Sequence, residues 1–554
     1  MLCGHLAAIM RPTYMYWHVS AMTRIQVLAV AVSIRLPRGV VGYGRAAVLA
    51  LILLLAGGML NSCAATPAVP QPVVTPVTIT PQRDWSDAIL YSVIVDRFAD
   101  GDATNNPHLD RSNPGGFHGG DLKGLRAQLD EIAGLGVTAI WITPVVKQID
   151  HPVWAQGPPE TGTSSGFEHW PFHGYWADDF TQMDAQFGSE EDLRALVEAA
   201  HKRGLKVLLD VVYNHSGYGS RYTTDPRFHD WVRHTDVGCE TDPIRCQVGG
   251  LPDFKTELAA VRNYLFDASL GLAKRTKLDG FRLDTVKHVE HDFWQAHRRL
   301  TRQQLGEDFF LLGEVWGGSN RVLDEWFAGD EMDAGFDFTF KGSCQAFVNG
   351  AGRTVAFAHY LSKRHELRQG YYLAHYLSSH DEPMALYGVG GDKERFKLCV
   401  ALQMTVLGIP VIYYGEEVGR QGSVWPTNRK DMPWGARPIP PGKGVVRDES
   451  LRVYYQHLIQ LRRAHVALSA GTFRAVSSDG DLLVFAKELA GSGDAVMVAI
   501  NRGAQRAQAT VPRLPAWKGA TVRGGLSGTV FDAAGDSLHI DLPPLSAEIY
   551  VPAT

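Results

Sequence analysis

From Trp85 onward the chain alternates short apolar runs with longer amphipathic stretches. Strands are predicted at residues 88–96, 138–143, 206–212, 280–284, 309–313, 334–338, 372–377 and 411–414. Between them lie helical patterns at 122–135, 190–203, 257–274, 291–305, 320–328 and 393–407, with a weaker one after Gly342. A last helical pattern, 451–465, follows the eighth strand, and Ser189 ahead of Glu190-Glu191-Asp192 is a typical helix start. Eight strand-then-helix units predict an α/β fold, a parallel (β/α)8 TIM barrel, with insertions at 145–178 and 216–256. Past Ser469 the pattern becomes alternating runs (482–485, 495–500, 547–551) between Gly-rich turns, which predicts a small antiparallel β domain. The expected organisation is therefore barrel at 84–215 and 257–467, an inserted domain B at 216–256, and the β domain at 468–554.

The first eighty residues read differently. Residues 46–60, AAVLALILLLAGGML, follow Arg35, Arg38 and Arg45. This run is short for the ~20 residues of a membrane span and fits the ~7–15 of a secretory apolar core. It ends in Leu60-Asn61-Ser62-Cys63, which resembles a bacterial lipobox, so Cys63 is expected to carry lipid and tether the protein to a membrane. Residues 1–63 are then an export segment behind an N-terminal extension, and 64–83, rich in Pro, Thr and Val, form a flexible linker. The expected location is the outer membrane or cell surface, otherwise the periplasm or the medium. An oxidising environment would let Cys239 and Cys246 pair, while Cys344 and Cys399 sit in apolar helical patterns as free thiols. No Cys-x-x-Cys or His-x-x-x-His spacing accompanies them, which argues against zinc. With 54 basic and 59 acidic residues the chain lacks the basic excess of a nucleic-acid binder. A monomer is expected.

Active sites of a parallel barrel lie at the C-terminal strand ends. The third strand ends in Asp210-Val-Val-Tyr-Asn214-His215, the fourth in Arg282-Leu283-Asp284, then Thr-Val-Lys287-His288. The fifth ends in Gly313-Glu314-Val-Trp316 and the seventh in Ser379-His380-Asp381. Three carboxylates thus arrive at one face, each beside a His, an Arg or an aromatic. One Asp at a strand end is ordinarily a helix cap; three with these neighbours indicate a reaction centre.

These four motifs, in this order, resemble those of glycoside hydrolase family 13, the α-amylase family. The resemblance runs from about Asp84 to the C-terminus and implies a retaining glycosidase on a (β/α)8 barrel with a C-terminal β-sandwich. It further implies Asp284 as nucleophile, Glu314 as acid/base and Asp381 as the acid that stabilises the distorted transition state. Retention needs one ionised and one protonated carboxyl ~5–5.5 Å apart. Arg282, on the same strand face as Asp284, is expected to keep Asp284 charged, whereas Glu314 must hold a proton. His215 and His380 match hydroxyl-binding histidines, and His173-Gly-Tyr175-Trp176 matches a glycone-side stacking motif. Lys287 and His288 match the pair that meets aglycone sugars. Asp210 is expected to support the site by hydrogen bonding. Residues 145–170, with Trp154 and Trp170, match no motif and are expected to shape the aglycone end.

The resemblance also implies calcium at one or two sites. Asn214 and Asp253, with the backbone carbonyl of His288, would clamp the insertion onto the barrel. Asp100, Asp102, Asn105, Asn106, Gly119 and Asp121 form a second set of spaced oxygen donors around a glycine turn. The implied partner is an α-1,4-glucan of the starch type, hydrolysed through a glycosyl-enzyme. The alternatives are an α-glucan transglycosylase, with the same residues and a sugar hydroxyl in place of water, and an inactive glucan-binding surface protein, which would not require all three acids.

Overall fold

In the computed structural model, which describes residues 85–531 and 535–553, eight parallel strands close into a barrel. They are β1 (Leu90–Val93), β2 (Ala139–Ile142), β3 (Lys206–Val211), β4 (Gly280–Leu283), β5 (Phe310–Gly313), β6 (Ala334–Asp337), β7 (Tyr372–Tyr376) and β8 (Ile409–Tyr413). β1 pairs with both β2 and β8, which closes the ring. The export segment, Cys63 and the linker lie outside the described residues.

The apolar runs follow from burial on both strand faces. Alternate residues Leu90, Leu208, Phe310, Leu312, Phe336 and Val411 fill the barrel axis, while Phe281, Leu283 and Leu311 pack outward against the helices. Continuing up the inward rows, Ser92, Asp210, Arg282 and Glu314 replace the apolar residues, all of them buried. The polar site is thus the top layer of the barrel filling.

The predicted helices are present with local differences. The 122–135 pattern breaks at Gln128 into Leu122–Ala127 and Leu129–Leu135, and the weak pattern after Gly342 becomes two helices, Phe338–Val348 and Thr354–Lys363. Ser189 caps Glu190–His201 in a reciprocal capping box with Asp192. In the helix after β4, the fully buried Trp294 donates Nε1–H to Val286 O at 2.9 Å, which braces the turn that follows the fourth strand.

The first insertion folds as two antiparallel pairings, Val146–Gln148 with Ala177–Met183 and Val153–Ala155 with Phe167–His169. The second contains only short helical turns and irregular chain, closed locally by a Cys239–Cys246 disulfide. Cys344 and Cys399 are free and buried. Beyond the last barrel helix, Glu449–Ala464, an antiparallel six-stranded sheet packs against the two-stranded sheet Ala507–Pro512/Ser537–Leu542, a sandwich. Leu482, Val484 and Met497 enter the sandwich core, whereas Leu483, Phe485 and Val498 join the barrel core. No helix among the described residues is long and apolar enough to cross a membrane.

Candidate active site

Strand register assembles the site. β3 and β4 pair Asp210 with Arg282, and β4 and β5 pair Leu283 with Gly313, so the next residues, Asp284 and Glu314, emerge side by side. Their backbones continue the ladder: Asp284 N–H donates to Val211 O (3.0 Å) and Glu314 N–H to Leu283 O (2.9 Å).

A single guanidinium holds three carboxyls. Arg282 Nη1 donates to Asp284 Oδ1 (2.6 Å) and Asp210 Oδ1 (3.0 Å), and Nη2 lies 2.9 Å from Glu314 Oε1. The guanidinium is also ringed by Trp141, Tyr175 and Phe336, 5.2–6.0 Å from each ring centre. Thr285, which follows Asp284, adopts φ +50°, a backbone region costly for a β-branched residue. It thereby aims its N–H at Glu314 Oε2, 3.0 Å away.

The charge states divide accordingly. Burial pushes Glu314 up to about 8; Arg282 opposes this, and the negative charges of Asp284 and Asp381 reinforce it. Burial also raises Asp210 to about 6 against Arg282, and Asp210 accepts hydrogen bonds from Tyr175 Oη (2.7 Å) and Trp141 Nε1 (3.0 Å). Asp381, in the turn after β7, has 33% of its side chain exposed. Desolvation works against its charge, but His380 (Nε2–Oδ2 3.0 Å), Arg429 (Nη2–Oδ1 3.0 Å) and Arg282 outweigh that and hold it below the ordinary carboxylate range. Arg429 also donates from Nε to His380 O at 2.8 Å. Sequence reasoning missed Arg429, which lies in a helical turn (Thr427–Arg429) beyond β8 rather than at a strand end.

The other expected residues separate into those that face the cleft and those that support it. The Tyr175 ring is half-buried and stacks on His380, centroids 5.3 Å apart at 14°. His215 is buried, which lowers its pKa, and its Nε2 has no partner among the described residues. His173 is buried, accepts Tyr175 N–H on Nδ1 (3.0 Å) and stacks beside Tyr175, so it positions that ring. Trp176 is core: it packs with Ile149 and Leu251 where the two insertions meet. Lys287 and His288 form the turn after the fourth strand; His288 Nδ1–H donates to Pro243 O (2.6 Å) inside the disulfide loop. Trp316 is half-exposed and rests on Phe338, centroids 4.9 Å apart. The hairpin of the first insertion packs on Trp176, His173 and Trp425.

Two oxygen clusters stand outside the acids. Asn214 Oδ1 faces Asp253 Oδ1 at 3.2 Å and His288 O at 2.8 Å with no donor between them; turned over, the amide would donate to both instead. Arg233 Nε lies 2.9 Å from the other Asp253 oxygen. At the second cluster Asn105 Oδ1 is buried without a partner among the described residues. A β-carbon at Gly119 would lie 3.1 Å from Asp100 Oδ2 and 3.0 Å from the Asn106 amide nitrogen. Asp121 accepts the N–H groups of Gly101 (3.0 Å) and Asp102 (2.8 Å), which draws the loop around it. The grouping of Cys239, Cys246 and His288 is not a metal centre, because the two cysteines are disulfide-bonded.

Comparison with known proteins agrees with this geometry. The family model for the α-amylase catalytic domain matches residues 92–238 and 243–456, and that for the maltogenic amylase C-terminal domain matches 473–549. A cyclomaltodextrinase of Bacillus sp is 31% identical over 459 residues, 78% of this chain and 75% of the relative. The periplasmic α-amylase of Escherichia coli (strain K12) is 29% identical over 495 residues, covering 70% and 68%. Among solved structures, the α-amylase of Geobacillus thermoleovorans in complex with acarbose superposes with a TM-score of 0.72 at 30% identity, covering 85% of this chain and all of that one.

With Glu314 as proton donor, its raised pKa predicts that kcat/KM falls tenfold per pH unit above about 8. Glu314→Gln is expected to lose that limb and ~10²–10⁴ of kcat on a glycoside with a poor leaving group, while melting as a folded protein. A pH–rate profile of parent and variant measures both, and an alkaline limb unchanged in Glu314→Gln would remove Glu314 from the role.

Proposed function

The chain belongs to the α-amylase family of glycoside hydrolases, and from that premise we propose that it is an exported enzyme cleaving α-1,4-glucosidic bonds of starch-like glucans with retention. The observation that carries the reading is the Arg282 guanidinium gripping Asp284 and Glu314 through its two terminal nitrogens. Carboxyls held that way stand close together, as the ~5–5.5 Å separation of retaining glycosidases requires. The Asp284 carboxylate attacks the anomeric carbon while the bond to the leaving oxygen breaks and Glu314 gives that oxygen its proton. The resulting carboxylate of Glu314 then takes a proton from water, whose oxygen displaces Asp284 and frees the sugar. Asp381, held charged by His380 and Arg429, favours the cation-like ring of the transition state. His215 and His380 meet hydroxyls, and Tyr175 offers its ring to the apolar sugar face. With Asp284, Glu314 and Asp381 all in place and differently charged, an inactive binding protein has no support. Glucanotransfer as a side reaction is favoured by one feature, the half-exposed Trp316 beside Glu314, which gives an acceptor sugar a surface to stack on.

Calcium is part of the same proposal. The Asp100–Asp121 loop offers a hard cation the unpartnered, buried Asn105 oxygen and nearby carboxylates that Arg111 and Lys123 now pair, Asp100 and Asp102. Asp100, Asp102, Asn105, Asn106, Gly119 and Asp121 would hold it. The trio of Asn214, Asp253 and the His288 carbonyl fits a second. Bound calcium supplies cross-links between loops rather than chemistry. Export rests on the 46–60 segment, on the Cys239–Cys246 disulfide, and on the relative whose name places it in the periplasm; the membrane tether rests on Cys63.

On soluble starch the enzyme is expected to release short reducing oligosaccharides in the α-configuration, read by chromatography and by NMR of the first products. β-Configured first products would overturn the retaining mechanism, and predominantly cyclic or lengthened chains would make transfer the main reaction. Exhaustive chelation is expected to lower the melting temperature, with calcium restoring it and two calcium ions bound per chain by elemental analysis. One ion would remove one of the two sites, with Asp253→Ala or Asp121→Ala telling which still binds, and an unchanged melt would remove both.

A further inference from the structure

The hairpin Val153–Ala155/Phe167–His169 has two unlike faces. Register pairs Val153 with His169 and Ala155 with Phe167, and on that face Phe167 and His169 are buried against Trp425, centroids 5.1 Å away in both cases. The opposite face presents the single cross-strand pair Trp154 and Glu168, both exposed, the tryptophan 65%.

The exposed indole has a built seat. Gly166 adopts φ +91°, and a β-carbon there would come within 2.4 Å of Trp154 Cζ2 and 2.7 Å of Nε1. Only glycine allows both that backbone and the indole lying against it. The Nε1–Cζ2 side of the indole therefore rests against the chain, and most of the ring is open to solvent. The hairpin is anchored as well: Asn113 Nδ2 donates to Glu168 O (2.8 Å) and Trp170 N–H to Gly115 O (2.8 Å).

Its position ties it to the cleft. His169 on the inner face touches Trp176 (4.7 Å) and His173 (5.1 Å), and His173 stacks on Tyr175 (5.7 Å, 23°), whose hydroxyl bonds Asp210. On the same side, Trp425 leads within four residues to Arg429, which holds Asp381. The hairpin is thus joined through its inner face to the segment that carries Tyr175.

We propose that Trp154 and Glu168 form a remote sugar-binding platform that takes a distant glucosyl unit of a long α-1,4-glucan, the indole stacking on the apolar sugar face and the carboxylate accepting its hydroxyls. The inference rests on the α-glucan reading above and adds a preference for long chains. An open aromatic plane beside a hydrogen-bond acceptor is the chemistry that fits a pyranose, which has one C–H face and a rim of O–H donors.

The test compares amylose, whose many glucosyl units can occupy the cleft and the platform together, with maltotriose, which offers only three. Trp154→Ala is expected to raise KM for amylose ~2–10-fold, the range of an aromatic contact, with kcat unchanged and maltotriose kinetics unaltered. Trp154→Phe is expected to recover most of the loss. Retardation of the protein by amylopectin in native gels should weaken in parallel. Because the side chain is exposed, the variant should melt as the parent does. Unchanged KM on amylose in Trp154→Ala, or equal changes on both substrates, would overturn the platform. A parent enzyme inert on every α-glucan would instead sink the underlying reading.

Discussion

One buried positive charge faces three carboxyls. Arg282 sits on the barrel axis within ion-pair distance of Asp210, Asp284 and Glu314, where water cannot screen the acids from one another. A single guanidinium cannot compensate three ionised acids in such a setting, so at least one must hold a proton. The hydrogen-bond pattern decides which. Asp284 takes the shortest contact, at 2.6 Å, and Asp210 is supported by Tyr175 and Trp141. Glu314 receives a single backbone N–H, and burial raises its pKa most firmly toward neutrality. A proton retained on Glu314, with Asp284 gripped by the same guanidinium, is therefore a consequence of where one arginine lies.

The barrel makes that position rigid. Arg282 and Asp284 share the inward face of one strand, the ladder to β3 and β5 sets their neighbours, and Trp294 braces the turn behind them. Thr285 stores backbone strain to point its N–H at Glu314, which only a well-determined surrounding can sustain. The insertions then add what a barrel top lacks, which is walls. Tyr175 and the hairpin come from the first insertion, the loop that holds His288 from the second, and Arg429 from the segment after β8.

Much of this was legible in the residues because it depends on local rules. Strands buried on both faces appear as unbroken apolar runs, and a carboxylate at the end of such a run must surface at the barrel mouth. All eight strands and the three acids followed from that. The resemblance of four short motifs then assigned roles that position alone could not. What escaped depends on contacts between distant segments. Arg429 carries no strand-end signature, and its partner Asp381 lies 48 positions earlier. His173, Tyr175 and Trp176 read alike in sequence, yet Tyr175 is half-buried while His173 and Trp176 are buried around it. The hairpin at 153–169 likewise could not be placed until His169 was seen against Trp176.

The central claim is that Asp284 forms the covalent bond while Glu314 manages the proton. An activated maltosyl fluoride that reacts slowly at the deglycosylation step, incubated with Glu314→Gln, should leave the enzyme heavier by one maltosyl group. Peptide mass spectrometry should then locate that group on Asp284. A sugar attached to any other residue, or no adduct while the fluoride is still consumed, would contradict the account.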